Sequence, residues 1–342
     1  MTQNKSAWMA HVKRLLPWLG TGILLAYMAT TTDLETIGHS LADVNIVAVL
    51  LLASVGTLAT FLIDSFCVAR VFTRFVCKVS YREALPIKAT SYFLNILNYN
   101  LALVGMAFYL QRSRQAPFWS SLGSLFFLNV MDILTLCVLL VVGLMATQGT
   151  GVLDGSTEVV AWFMAAGGFG GFALVVLMLK LDLKIPVVSR LLKLQMLAPL
   201  ADLNVGTVFY FLGLRMCLLL TYLGSQYILL QLFAIDVPLL RLVVYNSLIT
   251  FVQIVPISVA GLGTVQVVMR HFYAPFVVRA TGQAAAVVDA YSTTSIFSFV
   301  IFRVIVAYFF LGEFSREVIR DAEHAAPAGD MAPPSPDVDS VV

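Results

Sequence analysis

Four uncharged apolar runs, Ile46–Ile63, Ile133–Val152, Val159–Leu179 and Met216–Ile235, recur along this chain. A helix needs roughly 20 such residues to cross a hydrocarbon core about 30 Å thick. Lipid offers no partner to a free N–H or C=O, so each run must satisfy its own backbone, as a helix does. Composition agrees: 60% of the 342 residues are hydrophobic and 12% charged, with mean hydropathy +0.91. Soluble domains carry about 25% charged residues. The fold class is an all-α polytopic membrane protein.

Six full spans are expected, at 13–32, 46–73, 118–147, 158–181, 204–233 and 285–312. Leu15–Thr32 follows Lys13 and Arg14 but has no small-residue cleavage site, so it reads as a retained span and not a signal peptide. Two further apolar regions, 82–111 and 238–279, are broken. The first is interrupted by N-Y-N-L-A-L-V-G (Asn98–Gly105), the second by V-P-I-S-V-A-G-L-G-T-V-Q (Val255–Gln266). If both re-enter and return to the side they left, Arg70, Arg74, Lys78, Lys88, Arg112, Arg114, Lys180 and Lys184 share one side with both termini. Arg241, Arg270 and Arg279 then fall opposite. If both regions cross fully, the charges scatter. The positive-inside rule favours re-entry, with cytoplasmic termini. Residues 321–342 are Pro-rich and acidic, and are expected to be a disordered cytoplasmic tail.

That threading gives each half three spans and one hairpin, and an odd number of crossings inverts the second half. The expected organisation is a cytoplasmic N-terminus (1–12), a first repeat (13–147) with hairpin 82–111, and an inverted repeat (158–312) with hairpin 238–279. Two short identities accompany it: L-A-D-V-N at Leu41–Asn45 and L-A-D-L-N at Leu200–Asn204. In such folds the site lies at the repeat interface, on broken helices.

In the second hairpin Pro238 suits a helix start, Pro256 a stop, and Gly261 and Gly263 a tight turn. Thr264 is a candidate N-cap for a half-helix running through Arg270. Its exposed N–H groups would attract an anion, with Ser258, Thr264 and Gln266 adding neutral donors and acceptors. The alternative is a kinked helix whose glycines only permit close packing. In the first hairpin, Asn98 and Asn100 need partners or water. Arg112 and Arg114 either follow the positive-inside rule or guide an anionic headgroup. Among ionisable residues inside spans, Asp64, Asp132 and Arg215 are the most constrained, and Arg215 lies near mid-depth. It is expected to pair with Asp132 or Asp64, or to bind a ligand phosphate. Asp289 and Arg303 are nearer the interfaces and expected to snorkel.

The run P-I-S-V-A-G-L-G-T-V-Q resembles the P-x-S-x-G-G-x-G-x-x-E signature of the flippase-like transmembrane domain of lysylphosphatidylglycerol synthetases. The resemblance extends over about residues 10–315 and implies an inner-membrane protein that moves or binds lipids with polar headgroups. It implies a re-entrant site at Pro256, Ser258, Gly261, Gly263 and Gln266. Here Gln266 stands where the family carries Glu, which removes a charge from that position.

The expected function is therefore lipid translocation or lipid binding, for a lipid with a polar, anionic headgroup. The alternatives are a secondary transporter of a small solute, or a non-catalytic accessory to a lipid-modifying enzyme encoded separately. No P-loop and no H-E-x-x-H occurs, so neither enzymatic activity nor a metal or other cofactor is expected, and no nucleic-acid partner. The four cysteines have no paired spacing and read as small hydrophobes.

Overall fold

The computed structural model describes residues 42, 44–97, 99–149, 153–180, 195–254, 264–278 and 284–325. The expected first span, Asn98 and the stretch from Pro256 to Gly263 lie outside the described residues. The chain forms α1 (Ile46–Phe75), α2 (Tyr81–Leu97), α3 (Tyr99–Arg114), α4 (Phe118–Thr147) and α5 (Gly155–Lys180). A single 3-10 turn at Gln195–Leu197 leads into α6 (Ala198–Ala201), and α7 (Val205–Leu232), α8 (Leu239–Ile254), α9 (Thr264–Tyr273) and α10 (Ala284–Ala325) follow. Among the described residues five helices are long and apolar enough to cross a membrane: α1, α4, α5, α7 and the Ala284–Phe310 part of α10. There is no β-sheet among the described residues, only an isolated bridge between Ile235 and Val277.

Local chemistry sets the helix ends. Asn45 and Asn204, the last residues of the two L-A-D-x-N runs, are both N-caps. Asn45 Oδ1 accepts from Ala48 N–H at 3.1 Å, and Asn204 Oδ1 from Thr207 N–H at 2.7 Å. Each satisfies one of the donors that a helix start leaves without a partner. A capping box opens α2: Ser80 N–H donates to Glu83 Oε2 (2.8 Å), and Glu83 N–H donates to Ser80 Oγ (3.3 Å). Pro238 sits one residue before α8 and its carbonyl accepts from Leu242 N–H. Thr264 is the first residue of α9 where a cap was expected. Helix α10 continues past the expected span end at 312 to Ala325.

Helices α2 and α3 pack along one another, and Arg114 at the end of α3 ion-pairs with Glu83 in the first turn of α2. Helices α8 and α9 are closed differently. Val278 N–H donates to Ala234 O and Asp236 N–H to Phe276 O, both at 2.9 Å, while Tyr245 stacks on Phe272 with centroids 4.5 Å apart. Helix α2 packs on α10, and α8 packs on α4; α7 crosses α1 and also contacts α4, while α10 contacts α1. Gly143, near the end of α4, faces Val243 and Val244 at the start of α8.

Among the described residues two large apolar cores, with two smaller clusters beside them, fill the bundle. One gathers Phe72, Leu110, Leu125, Phe127 and Phe211 around the end of α1 and the starts of α4 and α7. The other gathers Val49, Leu230, Tyr245, Tyr273 and Tyr291 around the start of α1 and the end of α7. Large apolar side chains such as Val55, Phe163, Phe209 and Tyr308 remain exposed outside, as expected of a surface that faces lipid.

Candidate functional site

Four ionisable side chains meet between α1, α2, α4 and α7. Arg215 on α7 is 4% exposed. Its Nη1 donates to Asp64 Oδ1 on α1 at 2.7 Å, and its Nε lies 3.2 Å from Asp132 Oδ1 on α4. Lys88 on α2 reaches the other Asp64 oxygen, Oδ2, at 2.5 Å. The order is thus Lys88, Asp64, Arg215, Asp132, with signs alternating. At about 1.5 Å rise per residue, Lys88 lies about 10 Å from its helix end, Asp64 and Arg215 about 15–17 Å, and Asp132 about 21 Å. The ends counted from are the end of α1 and the starts of α2, α4 and α7, where Arg70, Arg74, Lys78 and, at the end of α3, Arg114 cluster.

The two carboxylates differ in their partners. Asp64 has a cation on each oxygen. Among the described residues Asp132 has only the poorly aligned Nε contact, and Asp132 Oδ1 and Arg215 Nε find no hydrogen-bond partner. Asp132 is also the most accessible of the four, with 27% of its side chain exposed against 5% for Arg215. Asp64 therefore orients the guanidinium, while its Nε edge faces Asp132, the more exposed of the two carboxylates. A guanidinium fork held this way fits a phosphate, which takes paired N–H donors.

A second group joins α9 to α10. Arg270 Nε donates to Asp289 Oδ1 at 3.1 Å and its Nη2 pairs with Oδ2, while Gln266 Nε2 donates to Thr293 Oγ1 at 3.3 Å. Gln266 and Arg270 are one turn apart, as are Asp289 and Thr293, so two rungs zip the helices together. Asp289 does not snorkel: it is 0% exposed, because α9 packs over it and supplies its cation. Arg303 lies over the Tyr92 ring at 5.4 Å, and Lys88 over the same ring at 5.6 Å.

Of the sequence-derived candidates, Asp132 and Arg215 are brought together, and Gln266 and Arg270 meet in the other group. Thr264 opens α9, Asn100 lies in α3, and Arg112 is exposed in the last turn of α3. Asn98, Pro256, Ser258, Gly261 and Gly263 are outside the described residues. Lys88 was not singled out from the sequence. Its signal is there: it interrupts the apolar run Ala84–Leu85–Pro86–Ile87 and Ala89, well inside the first hairpin region. Among the described residues no group of three or more His, Cys, Asp or Glu is arranged to hold a metal ion.

These features define a multi-pass helical membrane protein with ionic groups buried between its helices. The chain belongs to the family described as the lysylphosphatidylglycerol synthase TM region, which matches residues 15–308. That membership is consistent with a role in handling membrane lipids. No curated protein and no solved structure matches the chain.

Proposed function

We propose that the chain translocates, or holds for transfer, a phosphate-bearing membrane lipid, with Arg215 as the headgroup cation. The observation that carries this reading is the uneven pairing of Arg215. It is anchored by Asp64 and only loosely engaged by Asp132, the more exposed of the two carboxylates. A headgroup phosphate entering beside Asp132 would take up the free Nε edge. Asp132 in turn offers an acceptor to a headgroup amine, which favours lipids carrying both phosphate and ammonium. The family's name contains one such lipid, lysylphosphatidylglycerol.

The architecture in this reading is two inverted repeats, 13–147 and 158–312, each with a re-entrant hairpin (82–111 and 238–279). Four observations support it. The outer ends of each helix pair are tied, by Arg114–Glu83 in one and by the Ile235–Val277 bridge in the other. The α2–α10 contact has a counterpart in α8–α4, and α4–α7 in α10–α1. The helix pairs open at opposite ends of the bundle, α2–α3 beside the end of α1 and α8–α9 beside the end of α4. Asn45 and Asn204 cap helices at matching places in the two halves. The remaining site residues in this reading are Asn98, Asn100, Arg112, Pro256, Ser258, Gly261, Gly263, Thr264, Gln266 and Arg270, around the broken segments. The setting is a bacterial-type inner membrane with both termini cytoplasmic, and a separately encoded lipid-modifying enzyme as partner.

The test is lipid scrambling in proteoliposomes, with fluorophore-labelled phosphatidylglycerol or phosphatidylethanolamine read by chemical quenching. Wild type is expected to exceed empty vesicles, and Arg215→Gln with Asp132→Asn, which leaves no carboxylate without a cation, is expected to fall to the empty level. Equal rates in wild type, the double variant and empty vesicles would remove the translocation reading.

A further inference from the structure

A second site lies at the basic end of the bundle, away from the buried ionic group. A cleft of about 530 Å³ is walled by the end of α1, the α1–α2 turn, the start of α2 and the end of α3. Its floor is pinned. Thr73 Oγ1 donates to Val79 O at 3.0 Å and accepts from Val79 N–H at 3.1 Å, which holds the turn against α1. The Ser80–Glu83 capping box fixes the next residues, and Tyr81 OH donates to Leu62 O at 3.2 Å, with its ring edge-on to Phe66.

The charges in the cleft are not balanced. Glu83 is taken by Arg114. Arg70 and Lys78 line the same cleft, and among the described residues neither has a carboxylate partner; Arg70 lies over the Phe66 ring at 4.7 Å. Both side chains are exposed. On the other flank of Arg70 and Thr73 a second cleft, of about 500 Å³, opens onto Arg74 and the start of α7 at Gly206 and Thr207.

The apolar surface leading to the cleft indicates the occupant. Leu51, Val55, Leu58 and Leu62 are exposed on one stripe of α1. At 100° per residue, Phe66, Ala69 and Thr73 continue that stripe, with Arg70 beside it. Counted from Arg70, the stripe runs about 12 Å to Leu62 and about 18 Å to Leu58, which spans the ~15 Å hydrocarbon depth of one leaflet. Acyl chains lying on this stripe would bring their headgroup to Arg70 and Lys78, whereas a soluble phosphate gains nothing from it. We infer that the cleft between α1, α2 and α3 binds the glycerophosphate headgroup of an anionic phospholipid, whose acyl chains lie along the part of the stripe from Phe66 to Leu58. This site requires no translocation, so its test and the scrambling test fail independently.

The detergent-solubilised full chain is titrated with dioctanoylphosphatidylglycerol, dioctanoylphosphatidylcholine or glycerol 3-phosphate, and the thermal unfolding midpoint is followed. Phosphatidylglycerol is expected to raise the midpoint saturably. Its half-saturating concentration should rise about fivefold for Arg70→Gln or Lys78→Gln and about 25-fold for the two combined. Lys180→Gln removes a charge from the exposed end of α5, which does not line the cleft, and should change nothing. The charge-conserving swap Arg70→Lys with Lys78→Arg should keep the wild-type value within about twofold. Equal saturation by phosphatidylcholine, equal efficacy of glycerol 3-phosphate, or an equal loss in Lys180→Gln would overturn the inference. So would unfolding midpoints for the double variant that follow phosphatidylglycerol as wild type does.

Discussion

Replacing Arg215 by Gln strands one carboxylate of the buried ionic group and not the other, and this asymmetry can be measured. At an effective dielectric of about 20, the gross attraction is about 6 kcal/mol over the 2.7 Å to Asp64 and about 5 kcal/mol over the 3.2 Å to Asp132. Distance therefore does not decide which carboxylate depends on Arg215. The second cation does: without Arg215, Asp64 keeps Lys88 on its other oxygen, while Asp132 has no cation left in the group. Breaking a buried pair from one side costs about 3–5 kcal/mol, mostly through the uncompensated charge. Adding Asp132→Asn removes that charge and is expected to restore most of the loss, leaving about 1 kcal/mol for the missing hydrogen bond. Adding Asp64→Asn instead also strands Lys88 and should restore nothing. Unfolding in mixed micelles, followed by circular dichroism over a denaturing-detergent gradient, reads all three variants. Equal rescue by the two asparagine substitutions, or better rescue by Asp64→Asn, would refute the pairing order.

Other expectations follow from single contacts. Arg270→Ala should lower stability by about 3–5 kcal/mol, because Asp289 is fully buried, and the further change Asp289→Ala should recover part of it in the same assay. Gly123→Ala should cost about 1–3 kcal/mol, since the new methyl would meet the Met196 backbone; Gly167→Ala, with open space around it, should be neutral or mildly stabilising. Asp154 caps α5 from the loop outside the membrane, and hydrogen bonds from Ser156 and then Thr157 hold its carboxyl at about 2, below the ordinary 3.8. A depressed carboxyl stabilises above its unfolded value and loses that contribution as pH falls through about 2. Asp154→Ala should therefore cost about 1 kcal/mol or less at this exposed cap, equally at pH 5 and pH 8. The gap to wild type should close below about pH 4.

The sequence made the long helices legible because lipid allows few alternatives to a long apolar run: the expected span 118–147 and α4 coincide, and 204–233 differs from α7 by one residue at each end. Arg215 stood out for the same reason, as a charge at mid-depth must find partners. Asp289 was misread because only its distance from a helix start is visible in sequence. Its burial comes from α9, whose Arg270 lies 19 residues away in the chain. Lys88 was hidden among basic residues whose placement the positive-inside rule already explained. Neither misreading reflects weak patterning. Both residues owe their roles to a neighbouring helix, and helix-to-helix pairing leaves no periodic trace in one sequence.

The exchange of neighbours between the halves bears on how the chain is made. Helix α2 has its large packing surface on α10, yet Arg114 ends the first helix pair and α10 begins only at Ala284, 170 residues later. At about 5–20 residues per second of synthesis, that surface waits roughly 10–35 s for its partner. Helix α8 has no such delay, since α4 is already in place when it emerges. During that interval Lys88 and Tyr92 have no Arg303 beside them, and a factor that shields nascent membrane segments would find its opening there.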